Sequence, residues 1–198
     1  MSWLLIAVIV VVVLIAIWAV LLYNGLVQKR NRVDNAWAQV EVQLKRRHDL
    51  VPNLVETVKG YAAHERGTFD SVTQARAAAT SAQGPAQAGA AEGILGQALG
   101  RLFAVAEAYP ELKANESFLD LQGQLRDTED KIAISRQVYN DTVLTLNNAI
   151  QVFPAVLLAG ALGFSKREFF EVVDAAERDT PQVSFTPPAA PTGEAPSA

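Results

Sequence analysis

The stretch QLKRRHDLVPNLVETVKGY, residues 43–61, decides how this chain folds. Three cations, His48 and Asp49 stand next to Pro52 inside a run of apolar residues at helical spacing. Val33, Trp37, Val40, Leu44, Val51, Val55, Val58, Ala62, Phe69 and Val72 recur in steps of three, four or seven, which draws one apolar stripe along a helix. A new helix would reset that phase, and the phase continues across the proline. Pro52 therefore reads as a kink in a continuous helix, losing one backbone bond, to the carbonyl of His48; a fresh helix start is the alternative. On this reading Leu44, Val51, Leu54, Val55 and Val58 face a bundle while the cations lie beside or outside it. The stretch is a structural joint before it is a site of chemistry.

Upstream, residues 3–22 read WLLIAVIVVVVLIAIWAVLL, without a charge or a proline. About 20 apolar residues at ~1.5 Å rise match a ~30 Å hydrocarbon core, so this is expected to be a transmembrane helix. A cleaved signal peptide is the competing reading; no Lys or Arg precedes the run, the run exceeds a typical apolar region, and no small-x-small cleavage site follows. Trp3 at one end and Trp18 with Tyr23 at the other suit the two interfacial belts. Lys29, Arg30 and Arg32, then Lys45, Arg46 and Arg47, follow the span, and the positive-inside bias places the N-terminus outside and the C-terminal part in the cytoplasm. The expected organisation is an anchor over 1–22, a helical domain over 23–179 and a tail over 180–198.

Downstream, AAATSAQGPAQAGAAEG, residues 77–93, has no large apolar stripe and reads as a helix end followed by a mobile loop. A shorter helix is expected over 94–108, with Leu95, Leu99, Leu102, Phe103 and Ala106 on one side and Tyr109 as its stop before Pro110. Asn115 then suits the N-cap of a second long helix, whose Phe118, Leu121, Leu125, Ile132, Tyr139, Val143, Leu146 and Ile150 keep a heptad-like, coiled-coil rhythm up to Pro154. FPAVLLAGALGF, residues 153–164, either closes the bundle core, the reading slightly preferred, or enters a membrane interface. Ser165 with Glu168 forms a capping box that predicts a short helix over 166–179. The Pro/Ala-rich tail from Thr180 predicts disorder apart from a docked VSF at 183–185. Several helical stripes and no alternating pattern predict an all-α fold: an N-terminal transmembrane helix followed by a long, mostly antiparallel helical bundle.

Chemistry finds little purchase in the sequence. A net charge of −4 provides no global field for nucleic acid, and the absence of cysteine removes thiolate metal sites, disulfides and cysteine nucleophiles. His48, Asp49, His64 and Glu65 are metal-ligand types, but the two histidines are about four helical turns, roughly 24 Å, apart on one helix. No nucleophile elbow, phosphate-cradling loop or cofactor fingerprint is present, so no catalytic, metal or cofactor residues are assigned. The remaining candidates are contacts to membrane lipid or to a partner: Lys29, Arg30, Arg32, Lys45, Arg46, Arg47 and His48, with Leu157 and Leu158 of the apolar segment. Lys29, Arg30 and Arg32 fall within ~10–15 Å of the membrane boundary, whereas Lys45 stands ~35 Å along an upright helix, several Debye lengths away. A solvated helix face, or pairing with Glu129, Asp130 and Asp141 of the second long helix, is the plain reading of the KRRHD run.

YNGLVQKRNRVDNAWAQVEVQLKRRHDLVPNLVETVKGYAAHE, followed by AVAEAYPELKANESFLDLQGQL, TEDKIAISRQVYNDTV and FPAVLLAGALGF, resembles the LemA family of bacterial membrane proteins over about residues 20–185. The resemblance implies an N-terminal anchor in the bacterial inner membrane and a long antiparallel bundle. It brings no enzymatic reaction and no catalytic residues, and it ties some members to membrane organisation, magnetosome formation included. The functional expectation is a non-catalytic scaffold that self-associates as a homo-oligomer or gathers an unidentified protein partner. Membrane shaping through the basic residues and residues 153–164 is the second reading, and a hydrolase or metal site is a remote third.

Overall fold

The computed structural model describes residues 2–172. Among them are helices α1 (Ser2–Lys59), α2 (Arg66–Ser81), α3 (Gly84–Glu107), α4 (Pro110–Lys113) and α5 (Glu116–Gln151), then a single 3-10 turn, Ala155–Leu157, and no strand. The expected docking of residues 183–185 lies outside the described residues.

α1 runs unbroken through Pro52 and buries Leu26, Val33, Ala36, Val40, Leu44, Val51, Leu54, Val55 and Val58 along one face. The stripe keeps its phase further than the helix does. Past Gly60, the N–H groups of Tyr61 and Ala62 both donate to the Val58 carbonyl, at 3.0 and 2.9 Å, and close the helix end. α2 then doubles back: Phe69 lies under the Lys59 ammonium and Arg76 reaches His48. Ala62, Phe69 and Val72 thus enter the core of α1 from a turn and a second helix rather than along a single one.

Residues 77–93 are helical instead of forming a long loop. α2 continues to Ser81, only Ala82 and Gln83 link it to α3, and Gly84 takes φ +75° ahead of Pro85 in the first turn. The stripe of α3 is made of small residues, and small residues let backbones approach closely. Ala88, Gly89, Gly93 and Ala98 are buried beside Leu95, Leu99 and Leu102. Asn115 caps α5 as expected, its Oδ1 accepting from the Phe118 N–H at 3.0 Å.

α1, α2, α3 and α5 alternate in direction and share a membrane-distal core of Val51, Leu54, Val58, Phe69, Val72, Leu95, Leu99, Leu102 and Phe118. Below the α2–α3 turn only α1 and α5 continue, and a third element must cover their core. The chain supplies it by folding back: residues 164–172 run as a non-helical strap along the two helices. Phe164 stacks on Tyr23, Arg167 pairs with Asp34 at 3.0 Å, and Phe170 packs on Trp37. The short helix predicted by the Ser165–Glu168 capping box does not form over 165–172, and the rest of it lies outside the described residues.

Long-range bonds replace the helical ones. Asn147 donates to the Arg167 carbonyl at 2.9 Å and accepts from the Arg167 N–H at 2.8 Å; Asn140 does the same with Phe170 at 3.1 and 3.0 Å. The registers match. Two turns of helix separate the asparagines by ~10 Å, and Arg167 to Phe170 spans ~10 Å of extended chain. Tyr139 adds a bond from its hydroxyl to the Glu168 carbonyl at 2.8 Å, and Gly89 of α3 lies so close to the Glu171 backbone that a Cβ there would collide.

Asn140→Ala and Asn147→Ala each leave a strap N–H and C=O without partners. Each is expected to cost about 1–3 kcal/mol in denaturant unfolding of the full chain in detergent, and the double variant to depart from the sum, because both hold one strap. Burial pushes the Tyr139 phenol from its ordinary value of 10.0 up to about 12, with Arg167 pulling it down and Glu168 and Asp34 pushing it up. The neutral phenol is the folded form. Its contribution to stability is therefore full below pH ~10 and lost as the pH rises from there to about 12. Tyr139→Phe removes that loss, and the highest-pH step in the phenolate absorbance titration disappears with it.

Candidate functional site

Pro52 has no N–H, so the His48 carbonyl one turn back lacks its helical donor. Arg76 of α2 fills the place, its Nε donating to that carbonyl at 2.7 Å. The side chains of the same turn point inward. Arg47 is 6% exposed and His48 8%, and both converge on Glu92 of α3, which is 2% exposed. Arg47 Nη1 donates to Glu92 Oε2 at 3.0 Å, His48 Nε2 meets Oε1 at 2.5 Å, and Arg47 Nη2 stands 3.4 Å from Glu129 Oε2 of α5. Both carboxylate oxygens are engaged, as a charge this deep requires. α1, α2, α3 and α5 all meet at this cluster.

Lys45 and Arg46 are exposed, whereas Arg47 and His48 belong to the interior instead of lying beside or outside the bundle. Pairing with Glu129 was anticipated; Glu92, the partner that matters more, was hidden in a segment read as loop. Its signal is its isolation, for it is the one charge between Arg76 and Arg101. Asp49 and His64 are exposed, and the described residues contain no group of three or more His, Asp and Glu positioned to hold a metal ion. Two grooves flank the cluster. One, of about 390 Å³, is lined by Arg47, Leu99, Phe103, Leu125 and Arg126; the other, of about 380 Å³, by Trp37, Lys45, His48, Asp49 and Arg76. Neither lining contains a serine, and the chain has no cysteine.

The second cluster of candidates lies at the opposite end of the bundle. Trp37 and Tyr139 are in contact, with ring centroids 5.2 Å apart. From there, ~18 Å of α5 leads to Gln151 and the same length of antiparallel α1 leads back to Gly25, so α5 ends level with the close of the apolar run. The segment that follows divides its residues. Ala155 is buried, and Ala159 and Phe164 close the lower core with Leu26, while Val152, Phe153, Val156, Leu157, Leu158 and Leu162 are exposed, Phe153 at 78% and Leu157 at 70%. Closing the core therefore uses only part of the segment. Lys29 and Arg30 are half-buried and Arg32 is exposed; the Arg30 guanidinium lies 5.4 Å over the Phe164 ring.

An apolar N-terminal helix, an 18-residue window of which has no burial inside the protein, continues directly into a helical bundle. That combination defines a membrane-associated, all-α protein with one helix long and apolar enough to span. Residues 36–185 match the LemA family model, and the chain belongs to the LemA family. It is similar to magnetosome protein MamQ of Magnetospirillum gryphiswaldense, with 29% identity over 81% of this chain and 70% of that one. It is also similar to magnetosome protein MamQ 2 of Paramagnetospirillum magneticum, 28% identical over 82% and 68%, and to protein LemA of Metamycoplasma hominis, 25% identical over 66% and 60%.

Glu92→Leu leaves the Arg47 guanidinium buried without its principal partner and is expected to destabilise the full chain by about 3–5 kcal/mol. Adding Arg47→Met and His48→Leu to the same chain removes the stranded polar groups and should recover most of the loss, as read from unfolding midpoints.

Proposed function

We propose that this chain is a non-catalytic scaffold of the bacterial cytoplasmic membrane, anchored by residues 1–22, with its bundle, residues 23–179, in the cytoplasm, and that it works by self-association. The observation that carries the reading is an open apolar face on the same continuous helix that carries the span. Val42 of α1 lines an open groove with Ala38, Gln39, Gln43 and, from α5, Ser135; the Gln43 Oε1 there is buried without a hydrogen-bond partner, and Ile134 and Val138 of α5 are exposed. Copies anchored in one bilayer stand parallel, so their shared axis lies along the membrane normal and equal heights on α1 and α5 come together. Small and apolar residues at one height suit such a contact. Lys29, Arg30 and Arg32 support the cytoplasmic placement through the positive-inside bias. Relatives named as magnetosome proteins fit an assembly task.

The absence of cysteine makes the test direct. In native membranes, Val42→Cys and Ile134→Cys should each give covalent dimers with a short thiol crosslinker, and Asp70→Cys on α2 should not. Monomer at all three positions, together with single protomers in detergent-free particles, would overturn self-association.

A further inference from the structure

We propose that residues 152–162 form a second, non-spanning membrane contact, an apolar wedge seated in the interface of the bilayer that α1 crosses, with anionic phospholipid headgroups around it. The inference deepens the anchoring reading above and rests on it.

Three observations converge. The first is position: α5 ends level with Gly25 by the register argument, so residues 152–162 stand at the level where the apolar run closes. The second is chemistry. Val152, Phe153, Val156, Leu157, Leu158 and Leu162 are all exposed, and no charge occurs between Val152 and Phe164. The wedge is also held in shape, because Ala159 tucks into the lower core and Phe164 is fixed between Tyr23 and Arg30. An aromatic and five aliphatic side chains on a fixed turn suit the headgroup–acyl boundary, where burial needs no spanning segment.

The third observation is charge. The chain segments that meet at this end, residues 23–33, 142–151 and 152–167, carry Lys29, Arg30, Arg32, Lys166 and Arg167 and no acidic residue. The nearest acids, Asp34, Asp141 and Glu168, each stand one residue beyond those limits, and Asp34 is paired with Arg167. A collar of one sign within about two Debye lengths of the boundary attracts anionic lipid, and a neutral partner surface would leave it unused.

The test uses the full chain in lipid nanodiscs. Leu157→Cys and Leu162→Cys carry an environment-sensitive fluorophore, with Ile9→Cys in the span and Ser135→Cys in the bundle as references. In discs of phosphatidylcholine with phosphatidylglycerol, the labels at 157 and 162 should shift to the blue and be quenched by lipids spin-labelled near the headgroup. The label at 9 should be quenched from deeper positions and the label at 135 not at all. Removing phosphatidylglycerol or raising salt should weaken the signal at 157 and 162. If Ile9 is quenched while 157 and 162 behave like 135, the wedge is overturned and the anchor stands. An unquenched Ile9 would overturn the anchoring reading itself, and equal quenching with and without phosphatidylglycerol would overturn the anionic specificity.

Discussion

A carboxylate at the centre of a helical bundle stays charged only where cations and hydrogen-bond donors surround it, and the upper half of this protein is arranged around that requirement at Glu92. Arg47 and His48 meet it from α1, at the turn where Pro52 has removed a backbone donor. Arg76 repairs that turn from α2, and Glu129 shares Arg47 from α5. The proline turn and the ion cluster are thus one feature. The same proline that weakens α1 locally leaves a carbonyl that fixes where α2 must lie, and the side chains of that turn fix α3. Apolar stripes alone would tolerate slippage by a heptad, but a buried charge has a single position at which it is satisfied.

The lower half solves a different problem. Two antiparallel helices cannot bury both apolar faces between them, and α2 and α3 turn back too early to help. A helical segment would have offered one face in three or four residues; an extended strap delivers Phe164 and Phe170 over ~20 Å with only six residues. Its backbone polar groups then need partners, and asparagines seven residues apart on α5 supply them in the matching register.

These contrasts explain what could be read in advance. The span, the stripe through Pro52, the N-cap Asn115 and the all-α class rest on periodicity and on local backbone chemistry, both of which are written in consecutive residues. The helical identity of residues 77–93 was hidden because periodicity weighs large side chains, and α3 packs by being small at Ala88, Gly89 and Gly93. The strap was misread for the converse reason. Ser165 and Glu168 form a valid local signal for a helix start, but bonds to residues about 20 and 30 positions earlier in the chain outweigh it. Arg47 and His48 looked like surface charge because their acid, Glu92, comes from a segment whose path was not legible. Long-range pairing of polar groups is the common element in the last two.

The two halves are joined by α1, and this gives the chain its mechanical character. Residues of the span, the lower core and the ion cluster lie on one helix, so a displacement at the membrane boundary cannot be absorbed by a linker; it must pass to the strap or to the cluster. Phe164 is the point of transfer. Its ring touches Tyr23 and Arg30 at the boundary, and its chain neighbours lead through Arg167 and Phe170 to Gly89 on α3, the helix that carries Glu92. The strap that follows residues 152–162 ends against the helix whose position the buried carboxylate sets. The exposed apolar turn and the buried charge are thus linked by nine residues of strap, 164–172, clamped at two asparagines.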